Sequence, residues 1–333
     1  MDAWVVERPG PMNSRPLRPV RRPIPEPAAG EVLVHVSTCG VCRTDLHVAM
    51  GDLSVHRAGV VPGHEAVGTV AELGPGTTGF AIGDRVGVPW LRRTCGTCRF
   101  CRAGRENLCR ESRFTGWDAD GGYAEYVTVP EAYAYELPDV FDDVTAAPLL
   151  CAGIIGFRAL ERANVPTGGR LGLFGFGGSA HIAAQIAIHR GASVHVFTRT
   201  AEAKRLALGL GCATAGDVGD ADPGTLDAAI VFAPAGEIVP MALRALDRGG
   251  RVAIAGIHLS DVPSLDYQRH LFQERELVSV TANTRDDGRR FLAEADAAQI
   301  RVHTIAYPFD RASDALADLW HDRVTGAAVL VTG

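Results

Sequence analysis

LGLFGFGGSAHIAAQIAIHRGASVHVFTRT, residues 171–200, decides the fold. An apolar strand at 170–174 runs into the turn Gly175-Phe-Gly177-Gly178-Ser179-Ala180, and a helix at 180–189, beginning near Ser179, follows it. A strand at 193–198 and a helix at 201–210 repeat the alternation, which is the pattern of a parallel α/β sheet. The turn is close to GxGxxG, in which backbone amides approach a dinucleotide pyrophosphate at a helix N-terminus. Ala180 stands at the third glycine position, where the need is close helix-to-strand packing, and a methyl group is the smallest intrusion there.

The residue closing the second strand selects the cofactor. A carboxylate there holds the adenosine ribose hydroxyls of NAD and repels a 2'-phosphate, whereas Thr198 and Arg199 occupy this corner. A hydroxyl and a guanidinium favour NADP over NAD; the alternative is an Arg199 that points into solvent. Further strands are expected at 228–232, 251–255 and 277–281 of the same sheet, then one amphipathic helix and a final strand at 327–331. Residues 1 to about 150 read differently. Short β-rich runs such as 32–37 and 67–73 alternate with Gly/Pro turns, with little helical periodicity, as in an all-β module. The proline-rich stretch 16–27 reads as an extended surface segment.

Cys95, Cys98, Cys101 and Cys109 are separated by two, two and seven residues, a spacing that closes a tetrahedral thiolate cage around one zinc ion. Cys42, His64 and Cys151 come from three separated segments and supply two thiolates and an imidazole, the ligand set of a catalytic zinc with an open fourth position. Singly, each reads as a small core cysteine or a hydrogen-bonded histidine; together, beside a dinucleotide turn, they read as a metal site. Cys39 and Cys42 form a CxxC, but Cys42 is claimed by metal, and Cys212 reads as buried.

With 333 residues, 47% of them hydrophobic, the chain can build two cores. A net charge of -6 offers no general attraction to nucleic acid or to an anionic membrane, so small, neutral ligands fit better. The N-terminal residues carry charges where a secretory signal needs an apolar run, and the apolar stretch 146–157 is too short and too interrupted to span a bilayer. A cytoplasmic protein is expected, whose cysteines are metal ligands or buried thiols rather than disulfides.

GEVLVHVSTCGVCRTDLH, VPGHEAVGTV, CGTCRFC, DGGYAEY, APLLCAG and GFGGSAH occur in that order. In these motifs the chain resembles the zinc-dependent alcohol dehydrogenases of the medium-chain dehydrogenase/reductase superfamily over almost its whole length. The resemblance implies an α/β plus all-β protein: a GroES-like catalytic domain at 1–152 with a structural zinc lobe at about 92–113, an inserted Rossmann domain at 153–282, and a return to the catalytic domain at 283–333. It also implies two zinc ions per chain, a nicotinamide cofactor, an active site in the cleft, a small alcohol or aldehyde substrate, and a homodimer or homotetramer.

Residue by residue, the same resemblance gives Cys42, His64 and Cys151 to the catalytic zinc and the four clustered cysteines to the structural one. Two thiolates and a neutral imidazole cancel the zinc charge and leave a Lewis acid, while four thiolates leave a saturated, negative site that Arg92, Arg93, Arg99, Arg102, Arg105 and Arg110 can offset. The rival for that arginine-rich lobe is a nucleic-acid-binding zinc ribbon. Asp45 matches the carboxylate that orients the histidine ligand, or else caps a helix. Glu65 matches a glutamate that approaches the zinc, or else is an ordinary hydrogen-bond acceptor. Thr44 takes the alcohol proton and passes it through the cofactor ribose to His47, whose alternative is a plain surface histidine. Arg43 and Arg285 are expected near the cofactor pyrophosphate, or as solvated charges. Trp90 and Trp117 resemble pocket-lining aromatics, or else are core or interface tryptophans. Two rivals for the function are an NADPH-preferring aldehyde reductase of the cinnamyl-alcohol type and a catalytically silent zinc and nucleotide-binding protein.

Overall fold

A computed structural model describes residues 1–222 and 224–332. The chain divides into two units. One comprises Met1–Cys151, Ala282–Ala293 and Val302–Gly333; the other comprises Ala152–Thr281 and Glu294–Arg301.

The second unit is built on six parallel strands. Across the sheet they run Thr214–Gly216, Ser193–Phe197, Arg170–Phe174, Leu226–Val231, Leu246–Ile254 and Glu276–Ser279. In order of appearance that is 3-2-1-4-5-6, the doubly wound dinucleotide-binding arrangement, whose order reverses between Arg170–Phe174 and Leu226–Val231. The last four residues of Arg170–Phe174 and of Leu226–Val231 are buried, as expected of central parallel strands covered on both faces. Helix Gly178–His189 starts at the turn after the first strand, at the sheet end where such folds bind ligands.

The first unit is centred on the eleven-residue strand Glu31–Val41. It pairs antiparallel with Ala66–Leu73 on one side, and on the other with Tyr126–Pro130 along its first half and Ala327–Val331 along its last residues. Arg85–Val88 and Tyr135–Glu136 extend one edge of the sheet and Thr304–Pro308 the other. Alternate residues Val32, Val34 and Val36 are fully buried and belong to the apolar core of this unit, which fixes the strand's register.

Four expectations change. The module read as all-β contains helix Arg43–Met50, whose eight residues are too few to show a 3.6-residue period. Within the proline-rich stretch, Leu17–Arg21 is a strand paired with Asp2–Val6, and Pro19 is tolerated because a two-stranded sheet has only edge strands. The tail holds two helices, Arg285–Ala297 and Ala312–Trp320, and two strands, Thr304–Pro308 and Ala327–Val331, rather than one of each. Finally, the return to the first unit is interrupted, because residues 294–301 stay with the parallel sheet. Arg190 grips Glu294 through two hydrogen bonds of 2.6 and 2.7 Å, and Gln185 exchanges bonds of 2.9 and 2.8 Å with the backbone of Arg301. Among the described residues, no single helix is long and apolar enough to cross a membrane.

Candidate metal centres and cofactor turn

Cys42 directly follows the central strand of the first unit and stands at the N-cap of helix Arg43–Met50. Asp45, three residues on, closes the cap by accepting the Cys42 N–H at Oδ2, 2.9 Å away. Its other oxygen accepts the Gly63 N–H at 2.9 Å and His64 Nδ1 at 3.0 Å, and the Tyr123 hydroxyl donates to Oδ2 at 3.4 Å. One buried carboxylate thus serves as helix cap and as the group that orients His64, so the two readings of Asp45 describe one geometry. Because a carboxylate can only accept, Nδ1 of His64 carries the proton and Nε2 keeps its lone pair.

That Nε2 is buried and has no hydrogen-bond partner among the described residues. The Cys42 and Cys151 sulfurs lie 4.0 Å apart, and a donor atom from each of Cys42, His64, Glu65 and Cys151 falls within 4.8 Å of the others. A tetrahedral zinc with sulfurs at about 2.3 Å needs an edge of about 3.8 Å, so the donor set fits that ion. Contact with Cys151 pushes the Cys42 thiol well below its ordinary pKa, with His64 acting the same way against burial; the same contact, then burial, raises Cys151. Burial opposes charge on His64, yet Asp45 and then Cys42 raise it above the ordinary imidazole value. Glu65 reaches the cluster because residue 40 on the neighbouring strand is glycine: a Cβ there would lie 1.8 Å from the Glu65 carboxylate.

Thr44, in the first turn of the helix, is buried, with Oγ1 3.8 Å from the Cys42 sulfur. His47 follows one turn later on the same face and holds Asp52 Oδ2 at 2.8 Å through Nδ1. Arg43 pairs with Asp322. Trp90 packs edge-on against the His64 ring at 4.8 Å and stacks on Phe114 at 4.7 Å and Trp117 at 5.9 Å; Trp117 in turn stacks on His56 at 3.9 Å. Phe114 and His56 were not singled out by sequence. Phe114 arrives beside Trp90 only through the pairing of Arg113–Phe114 with Leu91–Arg93, which no local motif announces.

The second cluster is local. Cys98 and Cys101 sulfurs are 3.5 Å apart, Cys95 and Cys109 3.5 Å, and Cys95 and Cys101 3.9 Å, again the edges of a tetrahedral thiolate cage. Backbone N–H groups of Thr97 and Cys98 aimed at its sulfur lower the Cys95 thiol to about 6, and burial followed by the Cys98 contact raises Cys101 to about 11. Replacing Cys101 with serine is expected to halve the zinc content and lower the melting temperature while turnover per folded chain persists; a variant with full zinc content and full stability would contradict the cage.

Arg285 is held within the first unit by an ion pair with Glu106. Its backbone N–H and Nε both donate to Glu106 Oε1 at 2.9 Å, Nη2 donates to Oε2 at 2.7 Å, and the guanidinium lies 4.6 Å over the Tyr133 ring. Glu106 lies between Cys101 and Cys109, so this pair ties the cysteine lobe to the start of helix Arg285–Ala297. Burial pushes the Glu106 carboxyl up, but Arg285 outweighs it and holds the group below the carboxylate range. The resulting stability is present above the ordinary carboxylate pKa and is lost as pH falls through the depressed value. Arg285→Ala is expected to cost about 2 kcal/mol in unfolding experiments and to leave dinucleotide affinity alone. A weaker dinucleotide complex at unchanged stability would return Arg285 to the cofactor.

In the second unit, Gly175 turns the chain at φ 93°, where a Cβ would stand 2.9 Å from the Ala233 amide nitrogen. Its N–H donates to the Phe197 carbonyl at 2.9 Å, which sets the turn beside the Thr198-Arg199 corner. Gly177 is the N-cap of helix Gly178–His189 and has no side-chain oxygen to cap it, so the first-turn amides are left for a ligand. Ser179 and Ala180 follow in that turn, and Ala180 is fully buried, its methyl accommodated in the packing. Thr198 is buried and its N–H bonds to Gly216, whereas Arg199 is exposed. The glycine turn and uncapped helix fit a dinucleotide.

An interleaved thiolate and imidazole site in a GroES-like unit, together with a 3-2-1-4-5-6 sheet, defines a zinc-binding dehydrogenase. Residues 28–139 match the family model of the alcohol dehydrogenase GroES-like domain, and residues 178–297 match that of the zinc-binding dehydrogenases. A Mycobacterium tuberculosis protein named "Probable alcohol dehydrogenase AdhA" is 59% identical over 99% of this chain and 97% of its own. Two solved structures superimpose with TM-scores of 0.90 at 27% identity: a cinnamyl alcohol dehydrogenase of Sorghum bicolor, over 99% of this chain and 97% of that one, and a thermostable alcohol dehydrogenase of Pyrobaculum aerophilum, over 100% and 99%. The chain belongs to the zinc-dependent alcohol dehydrogenases of the medium-chain dehydrogenase/reductase superfamily. It is an oxidoreductase of zinc and nicotinamide chemistry.

Proposed function

We propose that Cys42, His64 and Cys151 hold the catalytic zinc of an enzyme that interconverts small primary or secondary alcohols with aldehydes or ketones. The observation that carries this reading is the buried, unpartnered His64 Nε2 beside two sulfurs. Zinc bound there supplies a Lewis acid that brings an alcohol's pKa towards neutrality. Asp45 keeps His64 in the tautomer that offers Nε2, and its bond to the Cys42 N–H holds the thiolate-bearing residue in register with the imidazole. Glu65, whose carboxylate shares the cluster, stands ready to exchange with other ligands.

Thr44 Oγ1 would accept the alcohol proton as it hands its own hydroxyl proton on towards His47, whose Nε2 would release it to solvent. Asp52 orients His47 through Nδ1, which leaves Nε2 for the relay. Trp90, packed on His64, and Trp117, stacked on Trp90, make an apolar aromatic wall that suits aliphatic or aromatic alcohols better than polyols. The dinucleotide rests its pyrophosphate on Gly175, Gly177, Gly178, Ser179 and Ala180, and Arg43 is the cation assigned to the same anion. The four clustered cysteines hold a structural zinc. The enzyme works as a homodimer or homotetramer in the cytoplasm.

Thr198 and Arg199 favour NADP. Steady-state kinetics with NAD and NADP over alcohols of rising chain length, repeated on Thr198→Asp, test that preference. A swing of about tenfold or more in kcat/KM from NADP towards NAD is expected, since a carboxylate repels a 2'-phosphate. Equal ratios in the two proteins would reject the role of this corner.

A further inference from the structure

Helix Gly178–His189 carries a fully buried histidine in its first turn, and nothing said so far gives it work. His181 Nδ1 lies 3.1 Å from the carbonyl oxygen of Gly177, which also accepts the His181 backbone N–H at 3.1 Å. A carbonyl can only accept, so Nδ1 is the protonated nitrogen and donates. The Gly177 carbonyl and the Gly178 N–H belong to one planar peptide unit and point in opposite directions. Two donors holding the carbonyl down the helix axis therefore hold that N–H outward, at the uncapped N-terminus.

A peptide between two glycines is the one most free to turn over, because neither residue has a Cβ to forbid the alternative. If it turned, a carbonyl oxygen would face the space where an N–H is needed, and a diphosphate would meet a partial negative charge. Burying an imidazole is unfavourable unless its polar atoms are satisfied, which makes this ring an expensive way merely to fill space.

We infer that His181 is a positioning residue for the cofactor: it bolts the Gly177-Gly178 peptide in the orientation that presents its N–H to the dinucleotide diphosphate. The inference rests on the reading that the dinucleotide binds at this turn. Its own helix supplies a control. Gln185 Nε2 reaches the carbonyl four residues back, that of His181, at 2.9 Å, so a glutamine at 181 can reach Gly177 in the same way.

The test compares wild-type, His181→Leu, His181→Gln and Gly177→Asp, all zinc-loaded, by calorimetric titration with NAD and with NADP. His181→Leu is expected to raise the dissociation constant of the preferred dinucleotide about tenfold, the effect of one lost charge-assisted hydrogen bond. His181→Gln should recover most of that loss, and in kinetics the leucine defect should sit in the dinucleotide KM rather than in kcat. Wild-type affinity in His181→Leu, or a glutamine variant as weak as the leucine one, overturns the bolt. Gly177→Asp separates the two readings. If it abolishes binding while His181→Leu binds normally, only the bolt fails; if it too binds normally, the dinucleotide is not on this turn and both readings fall.

Discussion

Cys151→Ser is expected to lower kcat/KM by about a thousandfold or more while the melting temperature and secondary structure hold. Lewis-acid polarisation contributes several kcal/mol to the transition state, and about 4 kcal/mol corresponds to a thousandfold. A serine hydroxyl does not ionise near neutrality and is a poor ligand for a borderline-soft ion, so the site loses its metal or holds it weakly. The fold has little reason to suffer. Cys151 follows the turn Ala147–Leu150, whose four residues are buried, and serine differs from cysteine by one atom. Metal analysis should find zinc retained in the cysteine lobe and lost from this position. A serine variant that unfolds, or one that turns over normally, would break the assignment of Cys151.

Gly177→Asp is expected to weaken dinucleotide binding by about a hundredfold or more without destabilising the protein. The backbone there has φ -120° and a Cβ would meet nothing within 4 Å, so an aspartate is accommodated. It becomes an N-cap, which raises helix stability by a few tenths of a kcal/mol, roughly the advantage of Asp over Gly at that position. The same carboxylate occupies the first-turn amides and faces the diphosphate. Two like charges about 4 Å apart repel by about 4 kcal/mol at an effective dielectric of about 20, which is ample for the expected loss. Titration calorimetry gives the affinity and a thermal melt the stability. Loss of both together would mean a misfolded helix, and loss of neither would move the cofactor elsewhere.

How much of this was legible in the sequence depends on how local each feature is. The cysteine lobe could be read because its four ligands fall within fifteen residues, and the loop between them is too short to place the sulfurs far apart. The parallel sheet could be read because each strand and helix carries its own period and the glycine turn marks where they meet. Cys42, His64 and Cys151 were harder, since residue types suggested a metal site but only the pairing of Glu31–Val41 with Ala66–Leu73 brings Cys42 and His64 together. Arg285 gave no sign of its ion pair, for the opposite reason. Its partner, Glu106, is 179 residues away, and nothing near either one signals the pair. The stack of Trp90, Phe114, Trp117 and His56, and the meeting of four donors at Asp45, are products of tertiary packing, which local propensity does not encode.

The central claim is that an ion sits among Cys42, His64 and Cys151 with room for a substrate oxygen. Anomalous diffraction at the zinc edge on the purified enzyme tests it most directly. We expect a peak bonded to the sulfurs of Cys42 and Cys151 at about 2.3 Å and to His64 Nε2 at about 2.0 Å, with its fourth position held by water or Glu65. A zinc-replete, active enzyme with no anomalous peak at these three residues would contradict it.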